Sequence, residues 1–242
     1  PLAMICALPV VFYAPFLTEP FFRDEGSYAA VAQWILDGHV PYENAFDNKP
    51  PMVYAYYAAS FLLFGENVVA PRLFVALLLS GATALMYVEG RMLYSHRGGL
   101  VAAFFFAMSF GLGSVQTSAN TEFFMIPAAM ASLVAFTAAR RNRQPGWYAA
   151  AGLFSGVAMA TKPISLFIFL LYVLVLVADR LHGALDQRRG LARNLAFLSG
   201  GLAIAGAAVV APFALTGTLP DLYEATVVYA LVYIGDIPLS DK

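Results

Sequence analysis

The chain has 242 residues, is 60% hydrophobic and 12% charged, and carries a mean hydropathy of +0.70 and a net charge of −1. Those values lie outside the usual range of soluble domains, and the even charge balance excludes a basic nucleic-acid-binding surface. No ten-residue strand alternation of the outer-membrane-barrel kind is present, which leaves an all-α polytopic membrane protein, and the single cysteine, Cys6, excludes an internal disulfide or a multi-cysteine metal site.

The first apolar stretch, 2–17, contains Pro9 and Pro15 and no small-residue cleavage site before Glu19, so it reads as a retained span rather than a signal segment. The sequence opens inside that run without an initiator Met and ends after a polar stretch, and the expectation is one transmembrane domain, 1–242, cut from a longer protein. A polar first loop, 18–66, follows. It carries Glu19, Asp24, Glu25, Asp37, Glu43 and Asp47, a density of carboxylates that is expensive beside a bilayer unless they have a task. A helix is predicted over 25–36, and the apolar run 52–64 is short for a span and fits a juxtamembrane helix. Further spans are predicted at 67–90, 99–118, 122–139, 146–161, 163–181 and 194–216. Thr161-Lys162-Pro163 splits a stretch too long for one crossing, which makes seven spans in all. Gly98-Gly99, Gly111 and Gly113, Gly152 and Gly156, and Gly200-Gly201 allow close helix packing.

Charge then orients the chain. Three short loops hold Arg91 and Arg97; Arg140, Arg141 and Arg143; and Arg180, Arg188, Arg189 and Arg193, which is nine of the fourteen Lys and Arg residues. If 52–64 does not cross, all three lie on one side, the cytoplasmic one by the positive-inside rule, and twelve of the fifteen acids fall opposite. Asp24-Glu25, Asp47-Asn48-Lys49-Pro50-Pro51, Asn120-Thr121-Glu122 and Thr161-Lys162-Pro163 then converge on the external face. None of these four elements enters the orientation argument, so their common side points to a site built there from separate loops.

These elements carry a resemblance. Arg23-Asp24-Glu25-Gly26-Ser27-Tyr28, then Lys49-Pro50-Pro51 with Tyr54, Tyr56 and Tyr57, then Phe64-Gly65-Glu66-Asn67 and Arg72, resemble GT-C glycosyltransferases. The nearest likeness is to the dolichyl-phosphate-mannose–protein mannosyltransferases and the aminoarabinose (lipid A) transferases. The resemblance implies a GT-C-like helical bundle with juxtamembrane helices in its first external loop. It also implies inverting transfer of a sugar from a polyprenyl-monophosphate donor to a lipid, glycan or protein acceptor. The expected setting is the bacterial inner membrane, with the site facing the periplasm or exterior.

Inverting transfer to a hydroxyl requires a carboxylate that takes its proton. Asp24 holds that place in the motif, and Glu25, about 100° further round the helix, takes a supporting role; the competing reading makes Asp24 the helix N-cap. The departing lipid phosphate requires fixed cations, which Lys49 and Lys162 supply, each held in extended backbone by the following proline. Snorkelling to head groups is the competing role for both, and Arg72 is a further phosphate candidate. Glu122 stands where the aminoarabinose transferases tend to carry Asp; it binds sugar or acceptor, holds Lys49, or belongs to a capping box with Ser118 and Thr121. Asp47, Asn48, Asn120 and Tyr28 complete the candidate substrate-binding set. Trp34, Tyr54, Tyr56 and Tyr57 divide between stacking on substrate and an interfacial belt. No cofactor is expected; a divalent metal on His39 and Glu43 is the alternative, which Pro41 opposes by spoiling a helical i, i+4 pair. Two other classes fit the composition. A transporter or flippase would place ionisable groups within broken helices, whereas these acids lie in or beside loops, and a membrane scaffold would not require Asp24, Lys49 and Glu122 on one face.

Overall fold

A computed structural model describes residues 1–43, 47–111, 118–182 and 188–236. The described residues form helices and no strands: α1 (Leu2–Tyr13), α2 (Arg23–Leu36), α3 (Met52–Phe64), α4 (Val69–Leu93), α5 (His96–Ser109), α6 (Thr121–Asn142), α7 (Pro145–Thr161), α8 (Leu166–Leu181), α9 (Arg188–Thr216), α10 (Leu219–Tyr223) and α11 (Tyr229–Asp236). The all-α membrane fold expected from composition is the one observed.

Among the described residues four stretches are long and apolar enough to cross a bilayer: Val69–Leu93, Thr121–Asn142, Pro163–Leu181 and Gly190–Thr216. The other expected spans are shorter as helices. α1, α5 and α7 have 12, 14 and 17 residues, or roughly 18, 21 and 26 Å at helical rise, less than the hydrocarbon thickness of about 30 Å. The expected span 99–118 begins earlier, at His96, and residues 112–117 and with them Gly113 lie outside the described residues.

Local signals set the element boundaries. Gly65 ends α3 with φ +82, a conformation that side chains other than glycine's rarely adopt. Two residues on, Asn67 starts α4 by accepting the Val69 and Ala70 N–H groups through Oδ1 at 3.0 and 3.1 Å. The Phe64-Gly65-Glu66-Asn67 motif is therefore a helix stop followed by a helix start. Lys162 sits in extended backbone (φ −150, ψ 115) before Pro163 and breaks the chain between α7 and a 3₁₀ turn, Pro163–Ser165, that leads into α8.

The helix directions give the bundle two distinct ends. Thr121 and Glu122 open α6, whose last turn carries Arg140; α8 follows Lys162 after the 3₁₀ turn and approaches its end at Asp179. At that far end Arg140 donates to Asp179 from Nε and Nη2 at 2.9 and 2.8 Å. One apolar cluster, containing Tyr28, Val53, Tyr54, Tyr57, Leu79 and Phe124, fills the end with the loop motifs; a second, containing Phe136, Tyr148, Tyr172, Leu176 and Leu198, fills the arginine end. Helices α7 and α9 touch backbone to backbone. A Cβ on Gly152 would strike the Leu198 carbonyl, and one on Gly201 the Ala149 carbonyl. A stripe of small residues permits that approach where no hydrophobic drive separates protein from lipid. Gly200, by contrast, faces open space.

Candidate active site

The site begins with a helix start. α2 opens at Arg23, with Phe22 as its N-cap residue, and Glu25 at the third helical position reaches back to accept the Phe22 N–H at 3.0 Å. Asp24 is therefore not the N-cap residue. It lies one position earlier on the exposed side, while Glu25 turns fully into the protein.

Glu25 meets Arg72 there. Arg72 donates from Nε to Oε1 at 3.1 Å and from Nη2 to Oε2 at 2.6 Å. Its remaining N–H groups go to the carbonyls of Phe16 (2.6 Å), Glu19 (2.6 Å) and Pro20 (3.0 Å). All five guanidinium donors are occupied. Glu25 Oε1 also accepts the Ala119 N–H at 2.7 Å. This corrects two expectations. Arg72 has no donor left for a phosphate, and Glu25 is a buried structural anion rather than a substrate ligand. Together they join the turn after α1, the start of α2, the start of α4 and the strand-like approach to α6, and so fix Asp24 and Asn120, the neighbours of Glu25 and Ala119.

Two adjoining cavities open beside this staple. One, of about 300 Å³, is lined by Arg23, Asp24, Ser27, Tyr28, Asp47, Asn48, Lys49 and Tyr229. The other, of about 240 Å³, shares Asp24, Tyr28, Asn48 and Lys49 and adds Asn120, Thr121, Glu122, Thr161, Lys162 and Thr226 among others. Of the residues expected to act on substrate or phosphate, all but Glu25 and Arg72 line one or both. Three acids, Asp24, Asp47 and Glu122, stand against three bases, Arg23, Lys49 and Lys162.

Lys49 is aimed by its backbone. Its carbonyl accepts the Tyr42 hydroxyl at 2.6 Å and the Tyr54 hydroxyl at 3.4 Å. Tyr42 holds a φ of +74, an unfavourable value for a side chain of its size, and its ring stacks on Phe213 with centroids 5.8 Å apart. Among the described residues neither the Lys49 ammonium nor the Asp24 carboxylate has a hydrogen-bond or ion-pair partner. Lys162 differs, because it is paired with Glu122. Glu122 thus holds Lys162 rather than Lys49, and it forms no capping box, since Asn120 at the N-cap makes no side-chain cap bond.

Two polar side chains of the walls are only partly satisfied. Asp47 Oδ1 accepts the Asn48 N–H at 2.7 Å, and Asn120 Nδ2 donates to Ser118 Oγ at 3.0 Å. Among the described residues their other oxygens, Asp47 Oδ2 and Asn120 Oδ1, are buried without a hydrogen-bond partner. Burial, and then the charges of Asp24, Asp47, Glu122 and Glu25, push the Tyr28 phenol above its usual range. Its O–H stays protonated and able to donate. A concave wall of carboxylate, amide, hydroxyl and ammonium side chains suits a polyhydroxylated ligand.

The other aromatics of the first loop belong to the core. Tyr54 and Tyr57 are fully buried, and Tyr57 donates to the Ala119 carbonyl at 2.9 Å. Tyr56 stacks on Phe124 at 4.9 Å. His39 lies against Trp34, and neither His39 nor Glu43 lines the cavities. Among the described residues no group of three or more His, Cys, Asp or Glu side chains comes together in a way that could hold a metal. The sequence reading missed Tyr229, Thr226 and Ala230, which reach the cavities from beyond the last predicted span.

Fold and site together define a polytopic helical membrane protein with a carboxylate-and-lysine centre at one end of its bundle. The chain belongs to the dolichyl-phosphate-mannose-protein mannosyltransferase family, whose model matches residues 48–215. It is thus a mannosyltransferase-type glycosyltransferase, and membership implies a lipid-linked sugar donor and an acceptor. The match covers Asn48, Lys49, Asn120, Glu122 and Lys162; Asp24 and the helices after α9 lie outside it. No curated protein matches the chain.

Proposed function

We propose that the protein transfers a sugar from a polyprenyl monophosphate to a lipid, glycan or protein acceptor, with Asp24 as general base and Lys49 on the donor phosphate. The reading rests on one observation: a carboxylate and an ammonium that have no partner among the described residues share the walls of the same two cavities. In the reaction Asp24 takes the acceptor proton as the acceptor oxygen forms its bond to the anomeric carbon. The bond from that carbon to the phosphate oxygen breaks, and its electron pair leaves with the polyprenyl phosphate. Attack from the opposite face inverts the anomeric centre. Lys49 stabilises the developing phosphate charge, where a pre-set cation contributes most. Lys162, neutralised by Glu122 at rest, supplies a second cation when a phosphate competes for it. Asp47 and Asn120, which line the cavities, bind the sugar.

In topology, we propose seven spans with α3 remaining on the outer side, the site on the external face and the arginine loops in the cytoplasm, in a bacterial inner membrane.

Transfer is measured in membranes containing the full-length protein, with labelled polyprenyl-phosphate sugars. Asp24→Asn lowers the rate by about 10²–10⁴, and Lys49→Ala raises the donor KM. Full transfer by Asp24→Asn sinks the base assignment. Topology is tested separately by Glu66→Cys in a Cys6→Ser background: labelling from the outer side is expected, and labelling only from the cytoplasm refutes it.

A further inference from the structure

We infer that the segment from α10 to α11, 219–236, is the third wall of the site and that Tyr229 contacts the transferred sugar and tunes which sugar is accepted. This rests on the glycosyl-transfer reading above and deepens it.

The segment has two unlike faces. Thr226, Tyr229 and Ala230, at spacings of three and four, line the cavities: Tyr229 in the larger one, Thr226 and Ala230 in the smaller. Ala225 is buried, and Leu222 packs on the apolar cluster that contains Tyr28 and Tyr54. The opposite side shows Tyr223, Val227, Val228, Leu231 and Val232 as exposed large apolar side chains. A membrane protein can leave such a face against lipid. The segment therefore stands between the bilayer side and the two cavities and spans the seam where they share Asp24 and Lys49.

A π-helical turn, Glu224–Val228, joins α10 to α11. Such turns carry an extra residue per turn and recur at functional sites. The turn is steadied by the Thr226 hydroxyl, which donates to the Leu222 carbonyl at 2.6 Å. The wider turn resets the register, so that Tyr229 at the start of α11 enters the cavity wall.

Tyr229 matches a sugar by its chemistry. The larger cavity brings Arg23, Asp24, Ser27, Asp47 and Asn48 to bear on hydroxyl groups, and a sugar's apolar C–H face needs an aromatic surface. Tyr28 cannot supply it: its ring is 1% exposed and takes edge contacts with Tyr54 and Tyr57 at 6.1 and 5.5 Å. Tyr229 lines the larger cavity and is 37% exposed. The family match stops at residue 215, so this wall belongs to the part of the chain that the shared pattern does not specify.

The test uses the full-length protein in membranes and three labelled donors: polyprenyl-phosphate-linked hexose, N-acetylhexosamine and pentose. Tyr229→Phe keeps transfer within about twofold, while Tyr229→Ala raises the donor KM about tenfold and compresses the preference among the donors about fivefold, as loss of one aromatic contact implies. Val228→Ala, on the outer face, leaves both unchanged. Wild-type KM and preference in Tyr229→Ala, or the same shifts in Val228→Ala, overturn the inference. If Tyr229→Ala fails to accumulate, Tyr229→Cys in a Cys6→Ser background decides by labelling with a small water-soluble thiol reagent. Protection by the transferred donor supports the contact, and equal labelling with and without it overturns it. A wild-type protein that transfers none of the three donors refutes the underlying polyprenyl-phosphate reading, and the inference falls with it.

Discussion

Replacing Glu25 with Gln keeps the shape of the buried staple and removes its charge. In the native protein Oε1 accepts from Arg72 Nε and the Ala119 N–H, and Oε2 accepts from Arg72 Nη2 and the Phe22 N–H. The amide oxygen of Gln can serve one of these pairs. Its NH₂ then confronts two N–H donors, so two hydrogen bonds are lost, and each unsatisfied buried group costs about 1–3 kcal/mol. The Arg72 guanidinium, 1% exposed, also loses its counter-charge. Together these amount to roughly the 3–5 kcal/mol typical of breaking a buried ion pair from one side. Arg72→Met falls in a similar range, because it orphans the carbonyls of Phe16, Glu19 and Pro20 as well as the carboxylate. The double variant relieves the donor–donor clash, and its loss is smaller than the sum of the singles by about 2 kcal/mol. Reversible unfolding in mixed detergent, followed by tryptophan emission, measures all three; Trp34 lies on α2 and reports on this region. Single variants that lose less than about 1 kcal/mol, or losses that simply add, would refute the staple.

Other expectations follow from single contacts. Gly152→Ala drives a methyl group into the Leu198 carbonyl and destabilises the α7–α9 pair by about 1–3 kcal/mol or more, read in the same unfolding assay; Gly200→Ala, with open space around it, changes little. Tyr42→Phe removes the shorter of the two bonds to the Lys49 carbonyl, which costs about 1 kcal/mol and raises the donor KM by roughly the corresponding five- to tenfold in transfer assays. Arg140→Ala breaks a pair whose side chains are 45% and 21% exposed, and unfolding shifts by less than about 1 kcal/mol.

Much of the arrangement was legible in the chain because charge and proline act locally. Pro163 fixed the break at Lys162, and the two lysine–proline steps and Asp24 line one cavity. What escaped were pairings that a linear reading has no means to assign. Arg72 and Glu25 lie 47 positions apart, and nothing in either neighbourhood says that one consumes all the donors of the other. Glu122 had two candidate lysines in the sequence and pairs with Lys162. Tyr54 and Tyr57 were ambiguous because hydropathy does not distinguish a ring buried in protein from one at a lipid interface. Tyr229 escaped for a related reason: a lone tyrosine among valines shows no chemistry until a widened helical turn brings it to a wall.

The equal numbers of acids and bases around the two cavities bear on how substrate arrives. Asp24, Asp47 and Glu122 cancel Arg23, Lys49 and Lys162 in formal charge, so the empty site projects little field into solution. Long-range steering, which speeds capture for proteins with a single-signed cleft, contributes little here. An anionic ligand is recognised only after it has arrived, by exchange of near neighbours. Turnover at low substrate should therefore respond weakly to ionic strength, and encounter should depend on surface density and two-dimensional diffusion rather than on bulk concentration.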